Sequence, residues 1–398
     1  ISDGVLGTNW ATDIEGTLQT LADEGIEFPV GALEVPTETD RFYTIQPSRY
    51  PAPSRYWRSL EENKTDIKVH ASKPIFSNSS WEGKLSTGLS YVRTTRSQRE
   101  NKFTLPEQGN SLDNVEGDPT AYFAPENLMV IPGQSYIYTS LATDPKNTDV
   151  GHLNVFGAYA MLDAQVNERL RGNVGLRMEM ADMVIQTDVD TTDLTPLQIQ
   201  TTRGTLSEED LMPSLNMTYA LGKLDPIKLT NLRFAYSRTL ARPVFREKAP
   251  FRSFDFETLQ VLKGNPQLDQ TRIDNFDLRL EHFPNLGEVL SASVFFKRFT
   301  DPIEQNTVLE AVNTELTWSN LPYANVWGLE LEGRKDFGNL TETPFLKDLT
   351  LSGNISFIRS ASRIWRNELE TIRAQNPLQT ETRPLFGQAP YILNGVLT

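Results

Sequence analysis

The chain has 398 residues, 38% hydrophobic and 10% aromatic, which is ample apolar material for an ordered fold. A formal net charge of −14 argues against nucleic acid as a partner, because phosphate recognition needs concentrated lysine and arginine. With no cysteine, and only His70, His152 and His282 for imidazole, the sequence excludes disulfides and thiol chemistry and disfavours a histidine-built metal site.

In chain order, the opening ISDGVLGTNW carries no basic n-region or apolar h-region, so no signal peptide is expected. Residues 1–60 do not alternate; 12–30 suit a short helix within a long loop, and 47–57 are rich in proline and aromatics. Strands are expected near 65–75 and 83–96, followed by a second long excursion over 97–150 in which YFAPENLMVIPG folds locally. The longest uncharged run, 127–143, contains Pro132, Gly133 and Gln134 and makes a poor membrane helix. A membrane β-barrel is not excluded by that, because each of its strands needs only about ten alternating residues.

From residue 150 onward the dominant period is two. NVGLRMEM sets Val174, Leu176, Met178 and Met180 against Asn173, Gly175, Arg177 and Glu179. LRFAYSRT sets Leu232, Phe234 and Tyr236 against Arg233, Ala235 and Ser237; FDLRLE and WGLELEGR alternate likewise around Leu278 and Leu329. A helix would space its apolar positions three and four apart, so these segments are strands. They come as hairpins over 154–180, 211–239 and 275–299, with short turns near 167–169, 222–226 and 284–287. Long polar segments, 181–210, 240–272 and 300–324, separate the pairs. A solvated sandwich would tolerate the charges on the polar faces, so alternation alone does not choose between sandwich and barrel. Short turns at one end and long loops at the other are the layout of an outer-membrane barrel, whereas sandwich turns recur about every 8–12 residues. Residues 1–398 read as one all-β unit, a transmembrane antiparallel β-barrel region with long loops and no separate domain boundary.

Chemistry has little to hold. No nucleophile elbow, phosphate-binding glycine loop, dinucleotide fingerprint or zinc-protease helix is present, so no enzyme, catalytic residue, cofactor or metal site is expected. Among 52 carboxylates nothing singles out a catalytic pair. Asp188, Asp190 and Asp193 in TDVDTTD offer oxygen ligands at calcium-like spacing, but the turn glycine and distal glutamate are missing and a solvated acidic loop is the better reading. RYPAPSRYW places Tyr50, Tyr56 and Trp57 beside Arg49, Arg55 and Arg58; such a group can stack on sugars or peptides, yet aromatics packed on one another or at a membrane interface suit it better. The sequons at Asn63, Asn78, Asn216, Asn339 and Asn354 match a glycosylation pattern only formally.

LMPSLNMTYAL, LRFAYSRTLARPVFREKAPF, LKGNPQLDQTRIDNFDLRLEHFPNLGEVLSASVFFKRFTDPIE and NVWGLELEGRKDF, in that order and spacing, closely resemble the C-terminal barrel of TonB-dependent outer-membrane receptors. NVFGAYAMLDAQVNERLRGNVGLRME resembles the hairpin preceding it, so the likeness covers about 150–398. The resemblance implies part of a twenty-two-stranded barrel in a Gram-negative outer membrane, closed by a plug domain and energised by the TonB–ExbB–ExbD complex. Expected cargoes are a siderophore, haem, cobalamin, a glycan or a peptide, in some relatives beneath a surface lipoprotein lid. No plug-like segment or coupling motif is visible and only about a dozen strands can be counted, so the chain is expected to be one portion of such a receptor. A plugless barrel serving as anchor, secretion-complex component or adhesin is the alternative. On this reading the loops after Arg238 and Arg298 are extracellular and the 284–287 turn periplasmic. Val174, Leu176 and Met178 face lipid, Arg177 and Glu179 face the lumen, and Arg238 and Arg242 lie at or above the membrane border where Pro243 ends pairing.

Overall fold

The computed structural model describes residues 54–77, 81–108, 119–128, 130, 134–222, 228–255, 260–309, 314–339, 343 and 348–398; the expected helix over 12–30, with Arg49 and Tyr50, lies outside them. The early strands are β1 (Ser54–Ser77), β2 (Glu82–Thr104), and the short β3 (Glu107–Gln108), β4 (Tyr136–Ile137) and β5 (Ser140–Leu141). Next come β6 (Asp149–Gln165), β7 (Leu170–Thr187), β8 (Arg203–Leu221), β9 (Leu229–Ala241), β10 (Arg252–Asp255) and β11 (Gln260–Lys263). The remainder are β12 (Thr271–Phe283), β13 (Val289–Thr300), β14 (Ile303–Leu309), β15 (Thr314–Asn320), β16 (Tyr323–Asp336), β17 (Thr350–Arg363), β18 (Thr382–Arg383) and β19 (Tyr391–Leu397).

The chain divides into two compact units, one of residues 1–58 and 100–143, the other of 59–99 and 144–398. In the first, β3 pairs with β4, and Phe103 and Thr104 of β2 pair with Leu141 and Ser140 of β5. The second carries the long meander. The sheet has 13 strands in the order β1-β2-β6-β7-β8-β9-β12-β13-β16-β17-β18, with β19 also on β17 and β5 on β2, and it does not close on itself.

Each expected hairpin is present. At the β6–β7 turn the Asn167 side-chain oxygen accepts the amides of Arg169 and Leu170 at 2.8 and 2.9 Å, a local bond that favours turn over strand. The β8–β9 and β12–β13 turns use Gly222 and Gly287 at φ of 72° and 78°, a region costly for residues with a Cβ. Several strands run further than their alternation suggested. β7 continues to Thr187 and β8 begins at Arg203, so the excursion between them is 188–202 rather than 181–210. β1 already begins at Ser54, within the stretch read as loop.

Register converts the period-two pattern into two continuous faces. Met217, Phe234, Leu278, Val294, Leu329, Phe357 and Tyr391 stand side by side on seven successive strands. One row nearer the long connections are Leu85, Leu162, Val174, Leu215, Tyr236, Phe276, Phe296 and Trp327. Much of this face is open: Val174, Leu176 and Val294 are 50–53% exposed, although in water such side chains would favour burial. A contiguous apolar face of this extent marks contact with another apolar phase.

The connections do not all remain polar excursions. The described residues of 242–270 and 301–322 fold together into a second sheet, β10-β11-β15-β14, in which β11 runs parallel to β15. Its apolar residues Phe245, Ala249, Phe251 and Leu262 bury themselves with Met183, Ile185 and Leu206, supported by Leu153, Leu316 and Trp318. Met183 and Ile185 share the parity of Arg177 and Glu179, so this cap lies against the polar-side face of β6–β8. That contact explains why 181–187 escaped the alternation: the apolar side switches there from the even residues to Ala181, Met183 and Ile185.

Candidate functional site

The face opposite the apolar rows carries the charges, because odd residues of β7, β9 and β12 and even residues of β2 and β8 all point there. Arg177 donates from Nε to Glu179 Oε1 at 2.7 Å and from Nη2 to Ser90 Oγ at 2.9 Å. Arg242 donates to the other oxygen of Glu179 at 2.6 Å. The Arg177 side chain reaches Ser90 across Gly157, where a Cβ would stand 2.4 Å from its guanidinium; glycine is the residue that leaves this channel open. Further along, Glu281 accepts from Arg233 Nε at 2.6 Å, Asn231 at 3.2 Å and Arg279 at 3.3 Å, while Arg279 also donates to Glu332 at 2.7 Å. At the start of β12 Arg272, on the other parity, reaches over to Asp210 and Glu208 at 2.7 and 2.8 Å, and Gln270 donates to the same Asp210.

The faces expected from sequence are therefore the observed ones for Val174, Leu176, Arg177 and Glu179. Arg238 lies one row beyond Tyr236 and is bidentate on Asp274 at 2.9 and 3.2 Å. Arg242 turns onto the polar face to bridge Glu179. Pro243 ends the strand and the following helical turn, Phe245–Lys248, dives into the cap instead of projecting outward. Phe245, Ala249 and Phe251 were visible in the sequence as apolar residues inside a loop, and that was the available signal.

The cap is tied together by specific polar contacts. Asn320 donates to the Asp269 carbonyl at 2.9 Å and accepts the Asp269 amide at 2.8 Å, and Asn265 donates to the Trp318 carbonyl at 2.9 Å. Arg252 ion-pairs with Glu315 at 2.6 Å, and Glu304 accepts from Arg383 and the Phe386 amide at 3.1 and 2.9 Å, joining the β17–β19 connection to β14. Lys248 is buried and donates Nζ to the carbonyls of Pro266, at 2.9 Å, and Leu268; burial pushes its ammonium below its ordinary range.

Among the described residues no group of three or more acids or histidines is arranged to hold a metal ion. Asp190 is engaged locally, accepting the Thr192 hydroxyl at 2.5 Å and amide at 2.9 Å, and these bonds hold its carboxyl below the usual range. In the first unit Trp57 meets Phe103 edge-on at 5.1 Å, Arg55 covers Trp57, and Arg58 covers Tyr56 while pairing with Glu100 at 2.6 Å. That group belongs to β1 and β2, and its aromatics pack on their neighbours. Burial, with the Glu107 carboxylate beside it, pushes the Tyr122 phenol up to about 12. What the polar face offers chemically, among the described residues, is a wall of paired charges suited to contact with water or a polar body.

A family model described as "TonB dependent receptor-like, beta-barrel" matches residues 16–396. No match was found among curated protein sequences. Among solved structures the chain is similar to the pyoverdine outer-membrane receptor FpvA from Pseudomonas aeruginosa PAO1, with a TM-score of 0.50, 11% identity, and coverage of 89% of this chain and 42% of that one. It is also similar to the ferric citrate transporter FecA, with a TM-score of 0.49, 12% identity, and coverage of 78% and 37%. The siderophore receptor PiuA from Acinetobacter baumannii gives 0.47, 9%, and 78% and 40%. The chain thus spans about two fifths of the length of these receptors. Two faces of opposite polarity, short turns at one end, long folded connections at the other and the family match agree, and the chain belongs to the TonB-dependent receptor-like β-barrel family.

Proposed function

We propose that this chain is the barrel wall of a receptor in the outer membrane of a Gram-negative bacterium, importing a scarce nutrient by energy-coupled gating. The observation that supports this best is the split of one antiparallel sheet into an exposed apolar face and a charged, internally paired face. Apolar rows on successive strands suit lipid, and the paired charges suit a water-filled lumen or a plug held within it. In this reading TonB–ExbB–ExbD acts through a plug in the longer receptor. The cargo is a siderophore, haem, cobalamin, a glycan or a peptide; the pyoverdine bound by FpvA is one instance of that range.

The test is growth and labelled uptake in a strain lacking the full-length gene, on single sources of iron, cobalamin, glycan or peptide, with and without an intact TonB gene. Import predicts loss of uptake for one source and the same loss when TonB is removed. Undiminished uptake on every source in the deletion strain, when the parent strain carries the protein in its outer membrane, would replace import with an anchoring or adhesive role.

A further inference from the structure

Where the cap meets the wall it encloses a carboxylate that nothing satisfies. Asp149 opens β6, and its side chain is 1% exposed. Among the described residues neither of its oxygens has a hydrogen-bond partner, nor has the buried Nε of Arg96, which stands 3.9 Å from Oδ1. At that separation the two attract as charges without a hydrogen bond. Arg96 donates from Nη2 to Gln98 instead, the residue opposite Asp149 in register on β2.

The cap closes this place off. Two residues along β6, a Cβ on Gly151 would stand 3.0 Å from the Phe245 ring, and the Arg96 guanidinium lies 6.0 Å from the centroid of the same ring. On β7, Thr187 is opposite Asp149 in register, yet it donates its hydroxyl to the Thr202 carbonyl at 2.9 Å. Asn147, just before β6, accepts the Arg252 amide of β10 at 3.0 Å. The charges on the neighbouring elements are engaged elsewhere. Arg252 pairs with Glu315, Arg246 lies over Phe251, Glu247 accepts the Val244 amide, and Lys248 donates to the Pro266 and Leu268 carbonyls. Glu100, further along β2, pairs with Arg58. Arg96 is thus the one charge acting on Asp149 among the described residues. Burial outweighs it and raises the carboxyl above its ordinary value. An ionised carboxylate buried without donors is costly, whereas the protonated form has no charge to desolvate. The site lies outside the membrane: 149 to 154 spans about 17 Å of strand, and Asn154 pairs with Asp182 where the apolar rows end.

We propose that Asp149 makes the cap tighten in acid: 242–252 packs most firmly on β2, β6 and β7 with a proton on Asp149, and loosens when that proton leaves to water. A change of external acidity then alters how firmly the cap covers the polar face, with no ligand involved. The closed cap holds a proton that the opened cap releases between the ordinary 3.8 and the raised value. Closure therefore weakens as pH rises through that interval and is strongest below it.

The test is hydrogen exchange of the full-length receptor in detergent, followed by mass spectrometry at the amides of 247–252 from about pH 4 to about pH 8 and corrected for the intrinsic pH dependence of exchange. In the closed cap the amides of Glu247, Lys248, Ala249 and Phe251 bond to carbonyls, and that of Arg252 bonds to Asn147. Expected are protection that falls as pH rises, loss of that slope in Asp149→Asn, and a midpoint moved to higher pH in Arg96→Gln, where the charge favouring the ionised form is gone. Protection without a slope, a slope kept in Asp149→Asn, or an Arg96→Gln midpoint at or below the parent's would overturn the proposal. Should Asp149→Asn not fold, judged by heat-shifted gel mobility, the parent slope and the direction of the Arg96→Gln shift decide. Lys248 acts in the opposite sense on the alkaline side, so the sign of the slope separates the two. The readout does not involve cargo, so a failure of the import reading leaves it intact.

Discussion

Arginine substitution down the apolar face of β7 should cost stability in proportion to depth. From Gly172 to Met180 the apolar-face residues cover about 27 Å of strand at roughly 3.4 Å per residue, or about 20 Å of membrane depth at a tilt near 40°. Asp182 follows immediately, paired in register with Asn154, so the border falls just beyond Met180. Leu176 is then at mid-depth, flanked in register by Ala160 and Pro213, with half of its surface exposed. Leu176→Arg should destabilise by about 2–4 kcal/mol, and Met180→Arg at the border by about 0–1 kcal/mol. Arg177→Leu, one residue away on the other face, removes one of two guanidiniums from Glu179 and leaves Arg242 at 2.6 Å. It should cost about 1–3 kcal/mol through the weakened network and incur no lipid penalty. The assay is urea unfolding of the receptor in lipid vesicles, read by the fraction that keeps heat-shifted mobility on gels, together with its amount in the outer membrane of cells. A Met180→Arg variant as damaged as Leu176→Arg would refute the depth assignment; a Leu176→Arg variant indistinguishable from the parent would refute the face assignment.

The cap should fail separately from the wall. Phe251→Ala opens a void in the cluster with Phe245 and Leu262 and should cost about 3–5 kcal/mol locally, seen as faster protease cutting within 242–270 with barrel assembly unchanged. At Gly264 a Cβ would stand 1.8 Å from the Ala249 carbonyl oxygen, so Gly264→Ala should expose the same segment to protease; wild-type cutting rates would rule out that packing. Lys248 has its pKa lowered by burial, so the unfolded cap binds more protons over the interval between the folded value and the ordinary 10.5. Cap stability should therefore rise with pH across that interval, measured as amide protection of 264–270, and Lys248→Met should flatten the slope.

What the sequence made legible followed from how local each signal was. Turns closed by Asn167, Gly222 and Gly287 and faces set by strict alternation depend on neighbours in the chain, and they were read with their correct sides. The strand ends were harder. At 181–187 the cap supplies an apolar partner on the side that is polar elsewhere, which inverts the phase of the alternation; only long-range packing creates that environment. The Arg242–Glu179 bridge was not legible for the same reason, since Glu179 lies 63 residues away in sequence and meets Arg242 only after β7 and β9 are assembled.

Because these 398 residues contain no cysteine, a single cysteine placed among them reports membrane sidedness against the parent receptor as background. Leu197 in the β7–β8 connection and Leu286 in the β12–β13 turn are matched in exposure at 74% and 75%. With a membrane-impermeant maleimide on intact cells, Leu197→Cys should label and Leu286→Cys should label only after permeabilisation. Labelling of both on intact cells, or the reverse pattern, would contradict a barrel wall that spans the outer membrane with its long connections outside.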